Sequence, residues 1–190
     1  RMEYRWLDLK KMPVWIHCKG YLVRDDNMKP LYMIGCVNEI GERQKADNIS
    51  GLLGETGFRQ YMDQQDTPLE TGFLLRIGID HFKEINDNFG QEYGDFVLRK
   101  TADCISGCIS EVQKVYKLVA DEFLILDVSS DKVRDAEKLY DKVREAIDRF
   151  IEANKFKVMY TVSGGIVPFA ALKGNQCSEA LKLTDFALNE

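Results

Sequence analysis

From Phe73 onward the chain alternates strand-like and helix-like runs, and their order restricts the fold more than any single residue does. Phe73–Ile79 reads as a strand, His81–Asn88 as a short helix and Tyr93–Ile109 as a longer one, with Phe96, Leu98, Ala102 and Ile105 turned to a core. Val112–Leu118 and Glu122–Val128 form the arms of a hairpin whose tip is Val119-Ala120-Asp121. Asp131–Asn154 carries Val133, Ala136, Tyr140, Val143, Ile147 and Ile151 at helical spacing, the apolar stripe of a long amphipathic helix with a solvated charged face. Val158–Val167 is the last strand, and Ser178–Glu190 begins a last helix. Strand, helix, helix, strand, strand, helix, strand, helix predicts an α+β domain, a mostly antiparallel central sheet flanked by helices. In such a sheet the first strand lies beside the hairpin. Asp80, at the end of that strand, then comes near Asp121 at the tip.

The first forty residues differ. Met2–Leu7, Val14–Val23 and Leu31–Ile40 are rich in aromatic and β-branched residues, and turn chemistry at Leu9–Pro13 and Asp25–Pro30 separates them. They predict a three-stranded antiparallel meander. Three strands bury little surface alone, so they belong to a longer module or pack on a partner. Gly41–Asp47 reads as a charged helical connector, and Asn48–Gly54 interrupts the pattern. A helix begins near Glu55 with Phe58, Tyr61 and Met62 at helical spacing, and Asp66-Thr67-Pro68 ends it. The expected division is a sensor-like part at 1–41, a linker at 42–54 and the main domain at 55–190. A start at Arg1 and an end inside a helix are those of a fragment.

Composition narrows the function classes. A net charge of -5 does not suit a general nucleic-acid binder. No apolar run approaches the roughly 20 residues of a membrane span, and no secretion signal is present, so the expected setting is cytoplasmic. The five cysteines include no Cys-x-x-Cys pair. Cys104 and Cys108 share a helix face, yet no histidine stands near them, and they read as reduced core residues. His17 and His81 lie in no ligand spacing and read as packing or surface residues.

Carboxylates at the mouth of a strand can hold a metal ion, or they can be only the polar turn of a hairpin. Ile79-Asp80-His81-Phe82-Lys83-Glu84-Ile85-Asn86-Asp87-Asn88-Phe89-Gly90, followed by Gly94-Asp95 and by Asp121-Glu122-Phe123, resembles the GGDEF domain of diguanylate cyclases. Asp47–Leu52 is similar to that family's entry motif, Val162–Ile166 to its late strand and Thr184–Leu188 to its last helix. Glu3–Trp6, Trp15–Cys18, Gly35–Ile40 and Glu42-Arg43 resemble the last three strands of a PAS sensor domain and its exit into a linker.

The GGDEF resemblance implies a palm-like fold and condensation of two GTP molecules into cyclic di-GMP across two facing domains, with magnesium bridging carboxylates and phosphates. It implies Asn86 and Asp95 as contacts to the guanine edge, Lys83 as a phosphate contact or a solvated lysine, and Asp121 and Glu122 as the catalytic carboxylates. It also shows departures. The family's first metal-binding aspartate falls on Gly78, and its glycine pair falls on Val119-Ala120, where β-branched Val119 resists positive φ. Asp80 is open to two readings. It can cap the helix starting at His81, or it can serve with Asp121 as a metal ligand displaced along the strand. The family's inhibitory R-x-x-D pair falls on Ser110 and Gln113, so no inhibitory cyclic di-GMP site is expected. The leading expectation is therefore a degenerate GGDEF domain that binds GTP or acts as a regulatory or dimerisation module below a PAS sensor, as a homodimer. A downstream EAL-type phosphodiesterase domain fits that setting. The alternatives are an active cyclase with a shifted magnesium site built from Asp80, Asp121 and Glu122, and an interaction module without nucleotide.

Overall fold

The computed structural model describes residues 2–7, 13–25, 27–39, 46–65, 69–130, 132–154, 156, 158–172 and 177–190. The chain divides into two units, Arg1–Lys45 and Ala46–Glu190. In the first, β1 (Met2–Leu7), β2 (Pro13–Arg24) and β3 (Pro30–Glu39) form an antiparallel sheet in the order β1-β2-β3. The β2–β3 turn is held locally: the Asp25 carboxylate accepts the Asn27 and Lys29 backbone N–H groups at 2.9 Å, and Met28 takes φ 64. The turn at Leu9–Met12, the connector at 41–45, the helix end at Asp66–Pro68 and the side chain of His17 lie outside the described residues.

The second unit is a five-stranded sheet in the order β4-β6-β7-β5-β8, built from β4 (Leu53–Gly54), β5 (Phe73–Ile79), β6 (Lys114–Lys117), β7 (Glu122–Asp127) and β8 (Val162–Pro168). Only β4 pairs parallel, on β6; the other pairings are antiparallel. The helices are α1 (Glu55–Asp63), α2 (Phe82–Phe89), α3 (Gln91–Cys108), α4 (Val133–Ala153) and α5 (Cys177–Asn189).

Every residue of β5 is buried, because helices cover both faces of the sheet. Phe73, Leu75, Ile77 and Ile79 face a core shared with α2, α3 and α4, while Leu74 lies in a second core with Phe58, Met62 and Leu124. The period of two then places Arg76 and Gly78 on the second face. A charged side chain and a missing one thus sit at the heart of an apolar sheet.

Four sequence expectations are corrected. Phe96 is 37% exposed; it stacks on Phe156 with ring centroids 5.5 Å apart, and Val97 takes the core position. Val133 is exposed at the first turn of α4, and Leu139 fills the stripe instead. The last strand begins at Val162, not Val158: Val158–Tyr160 lies outside it beside α3, where the Tyr160 hydroxyl meets that of Thr101 at 3.0 Å. Leu53-Gly54, expected within the interruption, is a short edge strand.

Candidate functional site

The ends of β5 and β7, the α2–α3 junction and α5 together carry the charged residues singled out in the sequence. Pairing of β5 with β7 sets Gly78 opposite Glu122, so Asp80 and Asp121 do meet at the mouth of the sheet. Burial pushes the Asp121 carboxyl above its ordinary value, and the Asp80 charge adds to this, while N–H groups of Asp121 and Ile79 and the Lys117 ammonium pull it back.

Asp80 does not cap α2. The N-cap position is His81, at φ 56, with no side-chain cap bond, and its exposed ring lies 3.1 Å from Glu84. The Asp80 carboxylate instead accepts the hydroxyls of Thr161 and, at 2.7 Å, Ser163. A strand was available to bond, and Asp80 took the β8 edge in place of the helix N–H groups.

The decisive side chain on the second face is Arg76, which sequence periodicity could place but not partner. Its Nε donates to Glu122 Oε2 at 3.0 Å and its Nη2 donates to the same oxygen; Nη2 also reaches Asp185 Oδ1 at 3.0 Å, and Nη1 donates to the Leu181 carbonyl at 3.1 Å. The guanidinium side chain is 8% exposed. Gly78, two residues on, shares this face: a Cβ there would meet Glu122 Cγ at an ordinary 3.9 Å and crowd Leu188 Cδ2 at 3.3 Å. An open cleft of about 280 Å³, lined among others by Arg59, Arg76, Val119, Lys182 and Asp185, runs past this pair.

A second internal cation holds the hairpin tip. Lys117 is buried, donates to the carbonyls of Leu118 (3.0 Å) and Ala120, and lies over the Phe123 ring. Burial lowers its pKa, against the raising effect of Asp47, Asp121 and Glu122. Asp47 is partly buried too, which raises its carboxyl, but the Ser50 N–H and hydroxyl (each 2.7 Å), Lys117 and the Ile49 N–H outweigh this and hold it low. At the tip itself the left-handed residue is Ala120, at φ 51. Val119 is not in that region and is 65% exposed, so the conformational demand expected at Val119 falls on its neighbour.

At the α2–α3 junction, Gly90 (φ 85) turns the chain, and Gly94 lets the Asn86 amide lie flat against α3. A Cβ at Gly94 would sit 1.8 Å from Asn86 Oδ1. That oxygen is buried and has no hydrogen-bond partner among the described residues. Asp95 follows in the next position, half-buried, and Lys83 is exposed.

The sequence model of the family described as diguanylate cyclase, GGDEF domain, matches residues 44–190. The chain belongs to the GGDEF family. Among curated proteins, the GGDEF chain is 28% identical over 149 residues to the cyclic di-GMP phosphodiesterase NbdA of Pseudomonas aeruginosa, covering 76% of this chain and 19% of NbdA. It is 25% identical over 136 residues to the diguanylate cyclase VdcA of Vibrio cholerae, covering 70% of this chain and 40% of VdcA. It therefore spans well under half the length of either. Among solved structures, the GGDEF domain of TpbB (YfiN) from Pseudomonas aeruginosa superposes with a TM-score of 0.65 at 24% identity, over 76% of this chain and 87% of that one. The α+β sheet with flanking helices is thus a GGDEF fold, and the domain is one of the cyclic di-GMP signalling system.

Within that family frame the carboxylates do not assemble as magnesium ligands. Gly78 offers no side chain, Glu122 is held by Arg76, and Asp80 is held by two hydroxyls. Among the described residues no group of three or more His, Cys, Asp and Glu side chains could hold a metal ion. Magnesium wants a near-octahedral oxygen set at about 2.0–2.1 Å, and the residues present do not fit it. Ser110 and Gln113 are joined to each other instead of to a ligand: Gln113 Oε1 accepts the Ser110 N–H at 2.8 Å, and its Nε2 donates to Asp127 at 2.6 Å. Cys104 and Cys108 pack between α3 and α4, with thiols pushed up by burial, as core residues do. No helix of the described residues is long and apolar enough to cross a membrane.

Proposed function

We propose that this GGDEF domain is catalytically impaired and binds GTP as a regulatory module, as part of a cytoplasmic signalling protein in which a PAS-like sensor precedes it. The observation that carries the reading is the contrast between Arg76 and Asn86. One of the two tip carboxylates, Glu122, is already paired with an internal guanidinium, and the position of the first metal-binding aspartate is Gly78. The amide that would face guanine has a buried acceptor with nothing to accept.

An unmet buried acceptor costs about 1–3 kcal/mol. Rotation of the Asn86 amide toward the N–H edge of a guanine relieves that cost, and Asp95 beside it can accept from the same edge. Adenine presents no such donor pair. Lys83, exposed on α2, serves as a solvated lysine or a peripheral phosphate contact. The three-stranded sheet of the first unit supports a PAS-like assignment at 1–41, upstream of the GGDEF domain. The named activity of NbdA supports an EAL-type phosphodiesterase as the partner domain, and a homodimer supplies the surface through which a sensor acts.

Calorimetric titration of the chain with GTP, then ATP, tests the reading. GTP binding with ATP silent is the expected result. Equal binding of both, or of neither, overturns it in favour of an interaction module. Cyclic di-GMP formed from GTP at a rate typical of enzymes, about 1 per second or more, overturns the impairment and favours an active cyclase.

A further inference from the structure

We infer that the Arg76 guanidinium stands in for the divalent ion of this site, so that the domain holds no metal and takes up its nucleotide without one. The choice of GTP as nucleotide rests on the reading above; the exclusion of the metal does not.

Two observations converge on the second face of the sheet. Arg76 presents a fixed positive charge to two carboxylates from different elements, Glu122 of β7 and Asp185 of α5, and its remaining donor to the Leu181 carbonyl. A planar guanidinium with donors on three sides ties β5, β7 and α5 together as a bridging ion would. Gly78 removes the one carboxylate that could outbid it, and it stands directly opposite Glu122 in the β5–β7 pairing. On the opposite face of the sheet Lys117 lies over the Phe123 ring as a second buried cation. An arriving divalent ion meets the Arg76 guanidinium and must strip Glu122 from this buried partner. A nucleotide polyphosphate finds Lys182 in the open cleft beside Arg76, where Arg59 is already paired with Glu55 at 2.6 Å.

The test uses the whole 190-residue chain. Manganese(II) alone is titrated and followed by its electron paramagnetic resonance signal, which fades on binding. The signal should stay that of the free ion up to millimolar manganese. In parallel, GTP is titrated by calorimetry with excess EDTA and then with magnesium, and the two dissociation constants should agree within about threefold. The double variant Arg76→Met/Gly78→Asp should bind manganese at least about tenfold more tightly than the native chain.

Micromolar manganese binding by the native chain overturns the inference, and so does GTP binding that vanishes in EDTA. A folded double variant that still leaves manganese free removes Arg76 as the cause. If the double variant does not fold, the two native-chain titrations decide by themselves. Absence of both manganese and GTP binding leaves the metal exclusion standing and sinks only the GTP reading.

Discussion

The two ends of the site obey opposite rules. Around β5, β7 and α5 three charges have been given internal partners: Arg76 with Glu122 and Asp185, Lys117 with backbone carbonyls, Asp80 with two hydroxyls. At the α2–α3 junction a buried amide oxygen is left without one. Folding favours the first arrangement, since a satisfied buried polar group costs little and an unsatisfied one costs about 1–3 kcal/mol. A self-satisfied cluster is a structural clamp, whereas an unmet acceptor is a place where a ligand gains energy that the fold left unclaimed. The same sheet can therefore lose one half of a ligand site and keep the other, without any change of topology.

The largest expected effect breaks the satisfied end. Arg76→Met leaves Glu122 partly buried without its hydrogen-bonded cation, and removal of one partner from a buried pair costs about 3–5 kcal/mol. Urea denaturation should show a loss of that order. Adding Glu122→Gln should recover much of it, because the orphaned charge goes too. If the two single changes add within about 0.5 kcal/mol, the residues are not coupled and the clamp is not real.

Next comes the unsatisfied end, where the signs separate. Gly94→Ala forces the Asn86 amide out of a position 1.8 Å from the new methyl carbon. It should cost about 1–3 kcal/mol, and GTP binding should weaken by more than about tenfold. Asn86→Ala removes an acceptor that had no partner, so stability should stay level or rise by up to about 1 kcal/mol while GTP binding still weakens. A stability loss above about 2 kcal/mol in Asn86→Ala would mean that the oxygen is paired after all.

Much of this was legible in the sequence, and the limits are physical. β5 was placed to the residue because an uninterrupted buried run bounded by Gly72 and Asp80 admits little else. The meeting of Asp80 with Asp121 followed from strand order alone. The start of β8 was misplaced because Val158–Tyr160 is as apolar as a strand, and only the absence of a pairing neighbour ends it. Neither of the two readings open for Asp80 includes the hydroxyls it bonds, because which nearby donor wins depends on where β8 lies. Arg76 was passed over for a related reason. A charge within an apolar strand, two residues before a glycine on the same face, was a visible signal. Its partners Glu122 and Asp185, 46 and 109 positions away, were not.

Acid titration sharpens the comparison within the hairpin region, since Asp121 and Asp47 shift in opposite directions. Burial, then the Asp80 charge, raise Asp121 above its unfolded value despite the N–H groups and Lys117. Stability is therefore fullest below the unfolded pKa and falls as pH rises through the folded one. Asp121→Asn should then be more stable than the native chain at neutral pH, with the gain vanishing in strong acid. Asp47 is raised by burial but lowered further by Ser50, Lys117 and Ile49. Its contribution is present above the unfolded pKa of about 3.9 and is lost as pH falls through the lower folded value. Asp47→Asn should be less stable at neutral pH, and the deficit should close on acidification. Urea midpoints measured from pH 3 to 7 would show two curves of opposite slope; parallel curves would refute the assignment.

The smallest effect separates the two tip residues that replace the family's glycine pair. Ala120 sits at φ 51, where an L-residue is disfavoured by about 1–2 kcal/mol. Val119 does not, and its side chain points into solvent. Ala120→Gly should raise stability by up to about 1 kcal/mol, the relief of strain exceeding the added freedom of the unfolded chain. Val119→Gly gains no such relief and should lower stability by about 0.5–1 kcal/mol. Equal shifts in the urea midpoint would show that the strain is shared along the turn. Opposite shifts would show that only one of the two family glycines answered a demand of the backbone, and that the other kept space beside the cleft, which Val119 now fills.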